Sequence, residues 1–221
     1  MHLTHAVYEP AGDGLHPTLV TLHGWGASAL DLLGLAPHLA QSRFLVLCPQ
    51  GPVDVPIAPG VHGFGWFPLT MGAPPDPRAF AAAEEKLVAF LDAAARRYPV
   101  DTRRLALLGF SQGGVMAYSL ALRQRGRFAA MAALSTWLPP QLMEAAGLAD
   151  LDGLSVLVQH GTRDDLISVE RGRESVEALR RLRANAVYRE YEMGHEISAA
   201  SLADLSRFLE EKVLSPIVTL T

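Results

Sequence analysis

The stretch Leu105-Ala106-Leu107-Leu108-Gly109-Phe110-Ser111-Gln112-Gly113-Gly114-Val115-Met116 decides the fold. Its four leading apolar residues read as a strand buried on both faces. The spacing Gly109, Ser111, Gly113 is G-x-S-x-G, a sharp strand-to-helix turn, and the helix it opens is expected over Gln112–Arg125. Glycines leave room for strand and helix to close on each other, while the serine takes a strained backbone and lifts its hydroxyl above the sheet. A chain of this composition meets the bare spacing by chance roughly 0.09 times, so the weight rests on the strand before it and the helix after it.

Outward from this turn, short apolar runs alternate with longer amphipathic segments. Strands are expected at Thr4–Tyr8 (an edge), Thr18–Leu22, Phe44–Cys48, Leu105–Leu108, Ala129–Leu134, Ser155–Gln159 and Ala186–Tyr191. Helices are expected at Leu30–Ala40, Pro77–Arg97, Gln141–Gly147, Arg171–Arg183 and Ser198–Val213. Pro77 suits a helix start, and Pro99 forbids continuation. In Arg171–Arg183 the residues Val176, Leu179 and Leu182 form one apolar stripe. The alternation predicts an α/β fold, a mostly parallel central sheet with helices on both faces. From about 49 to 75, Gly and Pro residues with Phe64, Trp66 and Phe67 break the pattern; this is expected to be a long ordered loop that forms a pocket.

The chain has 221 residues, enough for one domain and one core. It is 49% hydrophobic and 19% charged, far from disordered classes. A net charge of −4, with Arg180, Arg181 and Arg183 as the one basic cluster at a helix end, argues against nucleic acid as a partner. Cys48 is the single cysteine, so no intrachain disulfide forms. The N-terminus lacks the pattern of a signal peptide, and apolar runs fall short of the ~20 residues that span a membrane. A cytoplasmic protein without stable membrane insertion is expected. No Cys/His cluster, zinc-protease motif, P-loop or dinucleotide fingerprint occurs, so no cofactor and no metal are implied.

A serine hydroxyl needs a base, and the base an orienting acid, which follow in the order serine, acid, histidine in this arrangement. After Ser111 the acid candidates are Asp164 and Asp165, in Gln159-His160-Gly161-Thr162-Arg163-Asp164-Asp165, just beyond a strand. His195, in Gly194-His195-Glu196, is the one histidine after them. Acyl transfer also requires two donors for the developing oxyanion. One is the N–H of Gln112; the other belongs to Leu22-His23-Gly24-Trp25-Gly26-Ala27, where Trp25 is the candidate and Gly24 or Gly26 the alternatives. His23 and His160 read as structural hydrogen-bonding residues.

These segments together with Cys48-Pro49-Gln50-Gly51-Pro52, Gly65-Trp66-Phe67 and Leu134-Ser135-Thr136-Trp137-Leu138-Pro139 resemble the bacterial phospholipase/carboxylesterase group, which includes acyl-protein thioesterases, within the α/β hydrolases. The resemblance runs over nearly the whole chain and implies an α/β-hydrolase fold. It implies Asp164 rather than Asp165 as the acid, completing a triad of Ser111, Asp164 and His195, and it supports Trp25 as oxyanion donor. It also implies Trp66 as an aromatic wall of the substrate site, Trp137 and Leu138 as acyl-side lining, and Ile167 as the apolar residue after the acid. Core packing is the competing reading of both tryptophans. The chain departs from the group at Asp165, where proline is common, and in its tail Leu214–Thr221.

The expectation is a serine carboxylesterase acting on short-to-medium-chain acyl esters, a small-molecule partner, as a monomer or homodimer. An acyl-protein thioesterase or lysophospholipase is the alternative of the same class, and a non-catalytic binding protein on a hydrolase fold that of another.

Overall fold

The computed structural model describes residues 3–69, 74–146 and 150–215. The strands are β1 His5–Tyr8, β2 His16–Leu22, β3 Leu45–Pro49, β4 Val53–Ala58, β5 Val61–Gly65, β6 Val100–Phe110, β7 Ala130–Leu134, β8 Ser155–Gly161 and β9 Asn185–Tyr191. The helices are α1 Pro77–Arg97, α2 Gln112–Arg123, α3 Pro140–Ala146, α4 Val169–Arg181 and α5 Ala199–Leu209. Seven strands form one sheet in the order β1-β3-β2-β6-β7-β8-β9, in which the edge strand β1 alone runs antiparallel to its neighbour.

Alternation within each strand sorts the core into two layers. On one face Val20, Leu107, Met131 and Val156 pack with Leu87, Phe90, Met116, Leu120, Val176 and Leu179 of α1, α2 and α4. On the other, Leu19, Val46, Ala106, Leu108 and Leu157 pack with Leu205, Phe208 and Leu209 of α5. Helices thus cover both faces, and each buried Leu or Phe contributes about 2 kcal/mol of transfer free energy. The start of α1 is fixed by the Asp76 side chain, which accepts the Ala79 N–H at 2.8 Å, with Pro77 in the first turn.

Leu30–Ala40 is not an α-helix but two tight 3-10 turns, Leu33–His38 and Ala40–Ser42. Pro37 lies inside the first, where a missing N–H and the ring oppose a regular helix, and Ala40, Gln41 and Ser42 turn left-handed with φ of 47°, 56° and 61°. Within the segment 49–75, expected as an ordered loop, β4 and β5 pair as an antiparallel hairpin around Gly60, whose φ is 73°. Its residues 70–73 lie outside the described residues. The last helix stops as α5 at Leu209 and widens into a π turn over Glu210–Leu214, and the tail from 216 onward lies outside the described residues. The β6 strand is longer than its apolar stretch, because Val100 and Asp101 pair with His16 and Pro17 before a shift that carries Thr18 to Leu105. Among the described residues no helix is long and apolar enough to cross a membrane.

Candidate active site

Ser111 stands at the C-terminal end of β6, at the mouth of the sheet, with φ 52° and ψ −121°. Such a backbone costs on the order of 1–3 kcal/mol in a non-glycine residue and persists where neighbours hold it. They do so here: Ser111 N–H donates to the Leu134 carbonyl at 3.0 Å, and its own carbonyl accepts from Gly114 N–H at 2.9 Å and the Thr136 hydroxyl at 2.7 Å. A side chain at Gly113 would collide with the carbonyls of Leu22 and His23, so this glycine lets the start of α2 sit against the end of β2.

That contact brings the Leu22–Ala27 loop to the serine. A Cβ on Gly24 would lie 3.3 Å from Ser111 Cβ, so Gly24 passes directly beside the hydroxyl-bearing carbon. Among the described residues, the N–H groups of Trp25 and Gln112 donate to no protein group. Gln112 is the first residue of α2, where N–H groups have no helical partner and the dipole favours negative charge.

Asp164 and His195 come from the turns after β8 and β9. His195 Nδ1 donates to Asp164 Oδ2 at 2.8 Å, with the carboxylate fully buried and the imidazole 15% exposed. Asp164 Oδ1 accepts the N–H groups of Leu166 and Ile167 at 3.0 and 2.8 Å, so the carboxylate is fixed from both sides. The ring of Phe110, the residue before Ser111, lies 4.9 Å from that of His195, centroid to centroid. Among the described residues Ser111 makes no hydrogen bond to His195; such contacts commonly tighten when substrate binds. Asp165, the other acid candidate, is exposed and takes no part in this bond.

The hairpin β4–β5 braces the Trp25 loop from outside. Gly26 N–H donates to the Phe64 carbonyl at 2.9 Å, and Phe64 N–H to the Ala27 carbonyl at 2.7 Å. Gly65 carries no side chain because the Trp25 indole occupies that space. Trp66 is corrected here: at 1% exposure it is a core residue beneath the site rather than a wall of it. Its indole N–H donates to the His23 carbonyl at 2.8 Å, and its own N–H to the Gln112 side-chain oxygen at 2.8 Å. The Gln112 amide completes the clamp by donating to the Phe67 carbonyl at 2.7 Å. His23 stacks on Trp66 and receives the Gly51 N–H on Nε2 at 2.9 Å, so its proton sits on Nδ1, 2.7 Å from the Gly24 carbonyl. Burial holds the His23 pKa below the usual imidazole value.

Trp137 is partly buried against the main core, while Leu138 is buried at 8% exposure and donates its N–H to the Ser175 hydroxyl at 2.8 Å. Ile167 is partly exposed beside Asp164. Sequence reasoning missed the Gln112 side-chain clamp and the Thr136 hydroxyl on the Ser111 carbonyl; neither residue type announces such a bond. Among the described residues no group of His, Cys, Asp and Glu side chains is arranged to hold a metal ion.

The profile of the Phospholipase/Carboxylesterase family matches residues 3–213. Acyl-protein thioesterase 1 of Mycosarcoma maydis is 28% identical over 226 aligned residues, covering 90% of this chain and 93% of the relative. The crystal structure of esterase PE8 superposes with a TM-score of 0.84 at 25% identity, covering 96% of this chain and all of the other. The Bacillus cereus carboxylesterase gives 0.81 at 25% identity, covering 95% and 94%. The class is therefore that of the α/β-hydrolase serine enzymes that cleave carboxylic esters. Within it, the chain belongs to the phospholipase/carboxylesterase family.

Proposed function

We propose that this protein hydrolyses short-to-medium-chain acyl esters through an acyl-serine intermediate, with Ser111, His195 and Asp164 as its triad. The observation that carries the reading is the 2.8 Å bond from His195 Nδ1 to the buried Asp164 carboxylate, set at the same sheet edge as the strained Ser111 turn. That bond leaves Nε2 as the free base. It takes the Ser111 proton as Oγ attacks the ester carbonyl, the N–H groups of Gln112 and Trp25 hold the oxyanion, and protonated His195 returns the proton to the departing alcohol. Water then attacks the acyl-serine by the same route in reverse.

Exposed apolar side chains support an acyl substrate. Ile57, 55% exposed, reaches the Gly26 side of the oxyanion loop, and Leu166, 78% exposed, sits two residues from Asp164. We infer further that the chain is one domain and that the enzyme works in the cytoplasm as a monomer or homodimer. Thioester hydrolysis on acylated proteins is the second reading, favoured by relatives named acyl-protein thioesterase 1 at 28% and 27% identity.

The test is a p-nitrophenyl ester series from acetate to palmitate beside acyl-thiocholines, with wild type and Ser111→Ala in parallel. Rates should peak at short or medium chains and fall about 10⁴- to 10⁶-fold in the variant. A strong thioester preference would move the assignment to the second reading, and turnover retained in Ser111→Ala would remove both.

A further inference from the structure

We propose that His160 is a positioning residue for the reaction: its Nε2–H clasps the acid-bearing turn and holds the Asp164 carboxylate in line with His195. The inference rests on the triad reading above and concerns a histidine wholly buried behind the acid-bearing turn, which does not touch the reacting atoms.

His160 is the penultimate residue of β8 and its side chain is wholly buried. Nε2 lies 2.8 Å from the Ile167 carbonyl and 3.4 Å from Asp164 Oδ2. Both are acceptors, so Nε2 carries the proton and Nδ1 is the bare nitrogen. Asp164 Oδ2 thus accepts the His195 Nδ1–H at 2.8 Å and lies 3.4 Å from His160 Nε2, whose own hydrogen bond goes to the Ile167 carbonyl, while Oδ1 takes the two backbone donors. Ile167 is bound twice in this turn, by its N–H to Asp164 Oδ1 and by its carbonyl to His160. Loss of His160 would free the Ile167 carbonyl and so loosen the turn whose Ile167 N–H holds Asp164 Oδ1.

The fold makes a place for this ring at some cost. Gly172 lies inside α4, where glycine weakens a helix, and a Cβ there would fall 2.8 Å from His160 Nδ1 and 3.1 Å from the Tyr188 hydroxyl. The Tyr188 hydroxyl is bonded elsewhere, to the Val169 carbonyl at 3.3 Å, and His160 Nδ1 has no hydrogen-bond partner among the described residues. An unpaired buried nitrogen is unfavourable. A residue serving only to fill the space between β8 and α4 would be better as an aliphatic side chain, so the Nε2 contacts are the reason an imidazole fits this position.

Three variants test this. His160→Gln keeps a side-chain N–H of similar reach, His160→Met fills the space without a donor, and Gly172→Ala crowds the ring from behind. Asp164→Asn and His195→Ala are run beside them, and folding is checked by circular dichroism. With a p-nitrophenyl ester, His160→Met should lower kcat about 10- to 100-fold with KM within about twofold, the usual scale for a catalytic group displaced by a fraction of an ångström to an ångström. His160→Gln should recover most of that loss, and Gly172→Ala should lower kcat by about tenfold at unchanged KM. The low-field proton of the His195–Asp164 hydrogen bond should shift in the Met variant by NMR and return towards wild type in the Gln variant. Wild-type kcat in folded His160→Met, or equal losses in the Gln and Met variants, would overturn the proposal. If the Met variant does not fold, wild-type kcat in folded Gly172→Ala overturns it. Should Asp164→Asn and His195→Ala keep full turnover, the triad reading fails first and this one falls with it; should they lose it while His160→Met does not, only this inference fails.

Discussion

Gln112→Met separates what the side chain of this residue does from what its backbone does. The Gln112 amide bridges two buried backbone groups, accepting from Trp66 N–H at 2.8 Å and donating to the Phe67 carbonyl at 2.7 Å, and is itself 1% exposed. Methionine preserves volume but satisfies neither group. Each buried polar group left unpaired costs about 1–3 kcal/mol, so the pair should cost about 4 kcal/mol. In a domain of this size that lowers Tm by about 8–16 °C. The N–H proposed to hold the oxyanion belongs to the backbone and survives the substitution, so below the transition turnover should fall only modestly, as the Trp66–His23 brace under the Trp25 loop loosens. Thermal and urea denaturation of wild type and variant, with ester hydrolysis at 20 °C, read both effects. A loss of stability below about 1 kcal/mol would refute the clamp, since even one unpaired buried group costs that much.

The remaining predictions concern the brace and two buried titratable groups. Gly63→Ala drives a methyl into the Gly26 carbonyl and should push the hairpin off the Trp25 loop, lowering kcat/KM at least tenfold, whereas Gly34→Ala, with open space at its Cβ, should leave hydrolysis unchanged. Because burial lowers the His23 pKa in the folded state, the unfolded chain takes up this proton first; the stability from neutral His23 is complete above about pH 6.5 and is lost as pH falls through the lowered folded value. Denaturation at pH 8 and pH 5 should therefore show a smaller acid loss in His23→Gln than in wild type, and equal losses would contradict the assignment. Burial pushes the Cys48 thiol up to about 11 despite the hydrogen bond it accepts from Thr21. Iodoacetamide at pH 8.5 should leave it unmodified in the native protein and label it in urea, and rapid native labelling would show the site to be open.

The parts of the fold readable from sequence are those where one physical rule dominates. The β6–Ser111–α2 turn announced itself because a doubly buried strand must be continuously apolar and because close approach at Gly109 and Gly113 excludes side chains. Asp164 and His195 were legible through order and through placement after strands, and the structure joins them at 2.8 Å. The Leu30–Ala40 segment misled because its leucines recur at helical spacing, while Pro37 forbids the regular backbone. In β4–β5, Pro56, Pro59, Gly60, Gly63 and Gly65 hide a strand pattern, although Gly63 and Gly65 are small only so that the Trp25 loop can lie against them. Trp66 was misplaced for a different reason: composition gives no sign of whether an indole lines a cleft or supports it, and here the deciding facts are its 1% exposure and its bond to the His23 carbonyl.

In the proposed mechanism Ser111 is a nucleophile activated by the His195–Asp164 pair. A fluorophosphonate probe followed by intact mass and peptide mapping tests it most directly, with wild type, Ser111→Ala and His195→Ala in parallel. One adduct is expected, on Ser111, absent from Ser111→Ala and formed at least a hundredfold more slowly in His195→Ala. Labelling at another residue, or a folded wild-type protein that takes no label, would contradict it.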